Sequence, residues 1–189
     1  MNANNGGSLM NIKEVGKSIL YFLVLAAILI GLRHFVFTPV VVKGDSMDPT
    51  LIDGERVIAL KNTKVKRFDI VTFPAPDDPG KNYIKRVIGL PGDTVEYKND
   101  ELYINGNKYE EAYLDEFKGK LTDDQPLTYD FNLSELFGSE KVPEGELFVL
   151  GDNRRISKDS RIIGMIKEKD IMADVKFVFW PINRFGTVD

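Results

Sequence analysis

The sequence contains no cysteine and only one histidine, and both shortages restrict the chemistry that the chain can perform. Without thiols it has no disulfides, no thiolate nucleophile and no cysteine ligands for a metal ion. A lone imidazole, His34, cannot form a histidine cluster for zinc. We therefore expect chemistry that uses neither a metal nor another cofactor. The lack of disulfides does not exclude export, because oxidation is only one of the ways in which exported domains are stabilised.

An excess of basic residues is also missing. The chain has 25 lysines and arginines against 29 aspartates and glutamates, a net charge of -4 and a pI of about 5.2. It offers no broad positive field to a phosphate backbone, so nucleic acid is not expected as a partner. At 189 residues, the chain is long enough for one domain of ordinary size with an appendage.

One long apolar run, ILYFLVLAAILIGL (19–32), is the strongest topological signal in the chain. A helix that crosses a bilayer needs about 20 residues, and the side chain of Arg33 at its end can extend to the interface. A cleaved signal peptide and a buried core helix are the alternatives. No small-residue cleavage pattern follows the run, and Thr38-Pro39 ends the helix instead. The pattern therefore favours a membrane anchor.

Charges beside the apolar run predict its orientation. Lys13 and Lys17 precede it and favour a cytoplasmic N-terminus, although Arg33 and Lys43 weaken the asymmetry. The polar, glycine-rich residues before Met10 are typical of disorder. The predicted organisation is a cytoplasmic tail at 1–17, a transmembrane anchor at 18–37 and an extracytoplasmic β-rich domain at 38–189, with an insertion at about 98–142.

After the anchor, the chain consists of short segments rich in β-branched and aromatic residues, which are typical of strands. Turn signals separate them, and Asn105-Gly106 predicts a type I′ hairpin. The acidic stretch 115–139 has no sustained strand pattern and is interpreted as part of an insertion, with a short helix at NLSELF. We expect a mostly β fold, a coiled antiparallel β-sheet domain with a small insertion, preceded by one N-terminal transmembrane helix. The predicted strands are ERVIALK (55–61), FDIVTF (68–73), NYIKRVIGL (82–90), TVEY (94–97), ELYI (101–104), ELFVL (146–150) and IMADVKFVFW (171–180).

A serine stands in VVKGDSMDPTL (41–51), and a nucleophilic serine needs a base within hydrogen-bond reach. The usual base is histidine, but His34 lies twelve residues before Ser46, inside the apolar segment. Ser46 is therefore either a turn residue or a nucleophile that uses another base. With histidine and cysteine excluded, that base would be a lysine. Burial would have to lower the pKa of this lysine from about 10.4 to about 8.

Lys85 has the most suitable setting for such a base. The segment YIKRVIGL predicts a strand in which Tyr83 and Val87 share the face of Lys85, while Ile84 lies on the other face. The alternative is that Lys85 or Arg86 points to solvent, as lysines in strands commonly do. The pattern alone leaves both interpretations open.

The loop GDNRRISKDSR (151–161) follows a predicted strand and concentrates glycine, acids, serines and arginines. Long polar loops on rigid sheets often carry function, although a turn tied by salt bridges would have a similar composition. For Asp159 and Arg161 we expect structural support. The hydroxyl of Ser157 is able to orient a neutral lysine nitrogen by hydrogen bonding.

The segments GDSMDPTL, YIKRVIGLPGD and GDNRRISKDSR follow one another in this order behind one anchor, and together they resemble the three conserved boxes of bacterial type I signal peptidases, in their single-anchor Gram-positive branch. The resemblance covers nearly everything from the anchor to FVFWP (177–181). It implies a serine endopeptidase that is anchored in the lipid bilayer of the cell membrane. This enzyme would remove signal peptides from secretory preproteins with a Ser/Lys dyad. By position, Ser46 would be the nucleophile and Lys85 the general base. Supporting roles would fall to Ser157, Asp152, Asp159 and Arg161.

The same resemblance implies further details of the site. The backbone N–H of Ser46 would donate to the oxyanion, whereas Gly44 stands where some family members have a serine that adds a second donor. Family substrates have small residues at the first and third positions before the cut, which requires shallow apolar pockets. The extended substrate would pair with the strand at residues 83–85. The expected pocket residues, each of which could equally belong to the core, are Val40, Val42, Met47, Leu51 and Ile84.

Two other functions remain open at this level. The Ser/Lys chemistry could act on the chain itself, as in the related self-cleaving repressor peptidases, although the anchor and the absence of a DNA-binding segment disfavour this. Alternatively, an anchored, non-catalytic β-domain that binds a partner would keep the scaffold without the dyad.

Overall fold

The computed structural model describes residues 12–188, which form two compact units. One unit ends at Val36 and the other begins at Phe37. The predicted disorder before Met10 lies outside the described residues.

The first unit is a single helix, α1, which runs over Ile12–Phe35 and has 24 residues. At roughly 1.5 Å per residue it is about 36 Å long, whereas the hydrocarbon core of a bilayer is about 30 Å thick. None of its residues is buried, and its most apolar window has a mean hydropathy of 2.2. Its length and composition are therefore those of a helix able to cross a membrane. It begins before the predicted anchor (18–37) and ends within it.

The second unit consists of short strands with three short α-helices between them. The strands are β1 (Phe37–Val41), β2 (Arg56–Leu60), β3 (Ile70–Pro74), β4 (Asn82–Gly89), β5 (Val95–Lys98), β6 (Glu101–Ile104), β7 (Asn107–Tyr109), β8 (Phe131–Asn132), β9 (Glu146–Leu150), β10 (Ile166–Lys167), β11 (Ala173–Trp180) and β12 (Gly186–Thr187). The helices are α2 (Asp115–Lys120), α3 (Leu133–Phe137) and α4 (Ser160–Ile163), and single 3₁₀ turns lie at Ala112–Leu114, Glu168–Asp170 and Ile182–Arg184.

The strands form two antiparallel sheets. The larger sheet has the order β1-β2-β11-β3-β4-β9-β10, with β12 paired to β11. The smaller sheet has the order β7-β6-β5-β8. This arrangement confirms the predicted mostly β, antiparallel architecture preceded by one apolar helix.

The hairpin between β6 and β7 shows how the residues of a turn determine its backbone conformation. Asn105 and Gly106 connect the strands and have φ values of 53° and 76°. Positive φ at both central residues defines a type I′ turn, which asparagine and glycine tolerate best. Ile104 and Asn107 pair directly across this turn, as the sequence predicts.

Several elements differ from what the pattern predicts. β1 contains Pro39, which the sequence suggested only as a helix stop; proline is tolerated there because β1 is the edge strand of the sheet. In β11, irregular pairing on either side of Phe177 and Val178 interrupts the alternation. Val178 is consequently 4% exposed and belongs to the core, while Trp180 is 50% exposed.

Three apolar clusters stabilise the second unit. One joins the two sheets, with Tyr97 and Phe131 from the smaller sheet packed with Phe148 and Leu150 from the larger. A second packs beneath the loop that follows β1, and the third lies around β3, β4 and β9. Since β4 contributes to the first and third clusters, it is held firmly on both faces.

Gly89, at the end of β4, provides a test of this packing. A Cβ at this position would lie 2.9 Å from side-chain carbons of Val142 and Val95 and 3.1 Å from the Cβ of Phe148. We expect Gly89→Ala to lower the free energy of unfolding by about 1–3 kcal/mol, because these atoms are already close-packed. Urea denaturation measures the change.

Gly119→Ala is the matched control, since a Cβ there meets nothing within 4 Å. Alanine also favours the helix to which this residue belongs, so the control should be neutral or slightly stabilised. Equal unfolding energies for the two variants would contradict tight packing at the end of β4.

Candidate active site

Ser46 lies in the loop between β1 and β2. Backbone hydrogen bonds join the two ends of this loop. The N–H of Val42 donates to the carbonyl of Glu55 at 2.8 Å, and the N–H of Gly54 donates to the carbonyl of Val42 at 3.0 Å. Within the loop, the N–H of Leu51 donates to the carbonyl of Met47 at 2.9 Å. We call residues 42–55 the nucleophile loop, after the role expected of Ser46. Its internal bonds define the position of the Ser46 backbone.

Lys85 extends from the middle of β4 to this serine. Its Nζ lies 2.7 Å from the Oγ of Ser46, and its side chain is almost completely buried, with the residue 3% exposed. Burial lowers the pKa of Lys85 to about 8, although the negative charges of Asp159 and Asp152 oppose the change. A lysine with this pKa has an accessible neutral form, and at 2.7 Å it can exchange a proton directly with the hydroxyl.

The surroundings of Lys85 explain its low pKa. The ring of Tyr83 lies 5.3 Å from Nζ, measured to the ring centroid. Directly across the sheet, Lys85 pairs with the fully buried Val71. An aromatic ring and an aliphatic strand residue cannot solvate an ammonium group as water does, so the charged form loses stability.

Asp152 is completely buried and forms an ion pair with Arg86. The Nε and Nη2 of Arg86 donate to its two carboxylate oxygens at 3.0 and 2.8 Å. The hydroxyl of Thr50 donates to the same carboxylate at 2.5 Å. Asp152 thus connects β4 to the nucleophile loop.

Asp159 and Arg161 form a second pair at the start of α4. The Nε and Nη2 of Arg161 each donate to the carboxylate of Asp159 at 2.8 Å. Asp159 also accepts from the N–H of Gly151 at 3.0 Å, and Arg161 donates to the carbonyl of Arg154 at 2.7 Å. These bonds close the segment 151–161 on itself.

Gly151 and Ser157 lie against the backbone of Ser46. A Cβ at Gly151 would lie 2.1 Å from the Oγ of Ser157 and 2.4 Å from the carbonyl oxygen of Ser46, so only glycine fits. The N–H of Asn153 donates to that carbonyl at 3.1 Å. Ser157 is buried, and among residues 12–188 its hydroxyl makes no hydrogen bond. Its suggested contact with the lysine therefore stays a prediction.

The five expected pocket residues come together in the cluster beneath the nucleophile loop. Val42, Met47 and Leu51 are at most 2% exposed and form part of the core. Val40 and Ile84 pack against this cluster and are only partly buried. Of the five, only Val40 and Ile84 therefore retain exposed surface.

Sequence reasoning missed the buried Arg154. Its Nη2 donates to Glu111 at 2.6 Å and its Nε donates to the carbonyl of Gly151 at 2.9 Å. It also donates to the hydroxyls of Thr128 and Tyr97. Arg154 therefore attaches the segment 151–161 to the smaller sheet. Only its place within GDNRRISKDSR signalled a role, because its side-chain partners are remote in the sequence.

Comparisons with known proteins relate most of the chain to one family. The profile of the family described as "Signal peptidase, peptidase S26" matches residues 12–180. The chain is 47% identical over 167 residues to a protein named signal peptidase I from Bacillus caldolyticus, a match that covers 86% of this chain and 90% of the relative. It is 42% identical over 181 residues to signal peptidase IB of Staphylococcus aureus (strain COL), covering 92% of this chain and 93% of the relative.

A solved structure is also similar. The crystal structure of a signal peptidase I from Enterococcus faecalis V583 is 46% identical in sequence and has a TM-score of 0.57. The match covers 59% of this chain and 97% of that chain. The family profile extends over most of the chain, and the relatives are similar over most of their own length. The chain belongs to the signal peptidase family, peptidase S26.

Proposed function

We propose that the protein is a membrane-anchored serine endopeptidase that removes signal peptides from exported preproteins with a Ser46/Lys85 dyad. The relatives named signal peptidase support the substrate class. The observation that carries the dyad is the 2.7 Å separation between the Nζ of a buried lysine and the Oγ of Ser46.

In the proposed mechanism the neutral amine of Lys85 accepts the proton of Ser46 as Oγ attacks the scissile carbonyl carbon. The resulting ammonium then donates that proton to the departing amine, which leaves an ester on Ser46. Lys85, neutral again, takes a proton from water as the water attacks the ester, and it returns this proton to the Oγ of Ser46 as the ester bond breaks and the new carboxyl end is released. Each transfer uses the same nitrogen, so its pKa near 8 suits both directions.

Stabilisation of the oxyanion is proposed to come from the backbone N–H of Ser46. Gly44 has no side-chain donor, and its own N–H donates to the carboxylate of Asp53 at 2.7 Å. That bond supports the nucleophile loop instead of the substrate. The second oxyanion donor must therefore come from another group.

The substrate is proposed to bind as an extended strand beside β4. In the described ladders, β9 pairs with β4 from Arg86 onward, whereas Asn82 to Lys85 pair only with β3. The free edge of this half offers main-chain donors and acceptors to an extended peptide. Val40 and Ile84, which are only partly buried, would contact the small side chains before the cut.

Membrane contact is proposed at two places. α1 would cross the bilayer with its N-terminus in the cytoplasm, which leaves the domain from residue 38 outside. In the domain itself, Trp180, Ile182 and Phe185 are 50%, 74% and 63% exposed. Exposed aromatic and aliphatic side chains of this kind suit the interface of a membrane.

Ser46→Ala tests the nucleophile. We expect kcat/KM for a preprotein to fall by more than about 10³-fold, because no other hydroxyl takes the place of Oγ. The exposed Ser134→Ala is the control and should cleave normally. Sequencing the new N-terminus of the product identifies the bond that is cut. Substantial cleavage by Ser46→Ala, with the correct product, would refute the assignment.

Lys85→Arg distinguishes a base from a mere positive charge. Arginine keeps the charge but has no accessible neutral form, so kcat/KM should fall by at least about 10²-fold while circular dichroism stays unchanged. The exposed Lys108→Arg is the matched control. A folded Lys85→Arg enzyme with near-normal turnover would exclude the dyad.

The pH profile gives an independent test. Because the pKa of Lys85 is lowered to about 8, the amine is neutral above this pH and protonated below it. We expect kcat/KM to fall about tenfold per pH unit below pH 8 and to level off above it. His34→Ala should leave this acid limb in place. Loss of the limb in that variant would indicate a histidine base instead.

Fractionation of cells tests the anchor. The protein should stay with membranes after an alkaline carbonate wash, and protease added to protoplasts should digest the domain after residue 38. Leu25→Arg/Leu29→Arg should release it, because each charge at the centre of a span costs about 2.5–3.5 kcal/mol. Leu25→Ile/Leu29→Ile is the control and should remain bound. Recovery of the unaltered protein in the soluble fraction would contradict a spanning helix.

A further inference from the structure

The segment that follows β11 returns to the nucleophile loop, and its contacts there join residues that are 129 to 135 positions apart in sequence. It forms a 3₁₀ turn at Ile182–Arg184 and then the strand β12, which pairs with β11. The N–H of Val188 extends this pairing with a 3.1 Å bond to the carbonyl of Lys176. The backbone around Arg184 is therefore held to the larger sheet on its C-terminal side.

Arg184 makes three bonds to the nucleophile loop. Its Nη2 donates to the carbonyl of Pro49 at 3.2 Å and to that of Thr50 at 3.0 Å. Its Nε donates to a carboxylate oxygen of Glu55 at 2.6 Å. One planar guanidinium thus joins the middle of the loop to its base, a geometry that a single ammonium cannot reproduce.

The loop is held at the same residue by a second contact. While the carbonyl of Thr50 accepts from Arg184, its hydroxyl donates to Asp152 in the buried pair with Arg86. The carbonyl of Met47 is bonded to the N–H of Leu51, so a movement at Thr50 reaches the residue next to Ser46.

Glu55 shows that this contact is built into the fold. The residue is 2% exposed, and its second carboxylate oxygen accepts from the N–H of Ile52 at 2.9 Å. Its ion pair with Arg184 compensates a charge that would otherwise be buried without a partner. The same guanidinium therefore neutralises the base of the loop and binds its middle.

We infer that Arg184 is a positioning residue for the peptidase reaction: it holds the nucleophile loop so that the Oγ of Ser46 stays within proton-transfer distance of Lys85. The inference rests on the proposed function of Ser46 and goes beyond it, because Arg184 lies outside the three sequence segments that predict the site. Nothing in the inference requires Arg184 to touch the substrate. Its loss should therefore reduce turnover and leave substrate binding unchanged.

The test compares Arg184→Met with the unaltered full-length enzyme in detergent, on a preprotein and on a peptide spanning its cleavage site. We expect kcat to fall at least tenfold and KM to change less than twofold. Arg184→Lys, which keeps the charge and part of the bonding, should recover some of the lost kcat. Binding of the peptide, measured with Ser46→Ala and with Ser46→Ala/Arg184→Met, should give the same Kd.

A second variant guards against misfolding. Arg184→Met leaves the carboxylate of Glu55 buried without its ion-pair partner, and the cost of burying that charge destabilises the loop and the domain independently of Ser46. In Glu55→Gln/Arg184→Met the charge is removed, while the amide oxygen of glutamine still accepts from the N–H of Ile52. This double variant should fold, as judged by circular dichroism and Tm, and should still show the reduced kcat.

Arg67→Met is the matched control for general loss of stability. Arg67 likewise donates to a carboxylate and to a carbonyl, those of Asp93 and Ile88, but it has no bond to the nucleophile loop. We expect a lower Tm with kcat unchanged below the unfolding transition.

The outcomes separate this inference from the proposed function. An inactive Ser46→Ala enzyme together with a normal kcat in a folded Glu55→Gln/Arg184→Met enzyme would overturn the role of Arg184 alone. A raised KM with unchanged kcat would also overturn it, since Arg184 would then act in binding. An active Ser46→Ala enzyme would instead remove the proposed function itself.

Discussion

The exclusion of water from the amine of Lys85 is the constraint on which the rest of the site depends. A solvated lysine is protonated at neutral pH and has no lone pair to accept the proton of Ser46, so proximity alone would achieve little. Burial in β4 lowers the pKa of Lys85 to about 8 and so makes the neutral form available. That burial in turn requires a central strand covered on both faces, which the apolar clusters provide.

Charged groups close to this lysine are arranged so that burial remains tolerable. Asp152 is paired with Arg86 and Asp159 with Arg161. In each pair, the Nε and Nη2 of the arginine both lie within hydrogen-bond distance of the carboxylate. An unpaired carboxylate in this position would be costly and would raise the pKa of Lys85 further, since both aspartates already act in that direction. The arginine partners therefore both stabilise the fold and help to keep Lys85 available as the proposed base.

Much of the fold was predictable because its signals are local. β4 and β11 are eight residues long and rich in β-branched and aromatic residues, and the Asn105-Gly106 turn specifies its own hairpin. Strands of two residues, such as β8 and β10, have no period that a pattern could reveal. The break in alternation along β11 was equally hidden, because irregular pairing depends on the neighbouring strand.

The sequence by itself determined that the chain has no thiol and one histidine, that an apolar helix precedes a β-rich domain, and that Ser46 and Lys85 were candidates for a dyad. Only the tertiary structure decided that their reacting atoms lie 2.7 Å apart and that the lysine is buried. It also selected Arg184 as a partner of the nucleophile loop. Composition and periodicity report what each residue can do locally, whereas distance and exclusion of water arise from packing between segments that are remote in the chain.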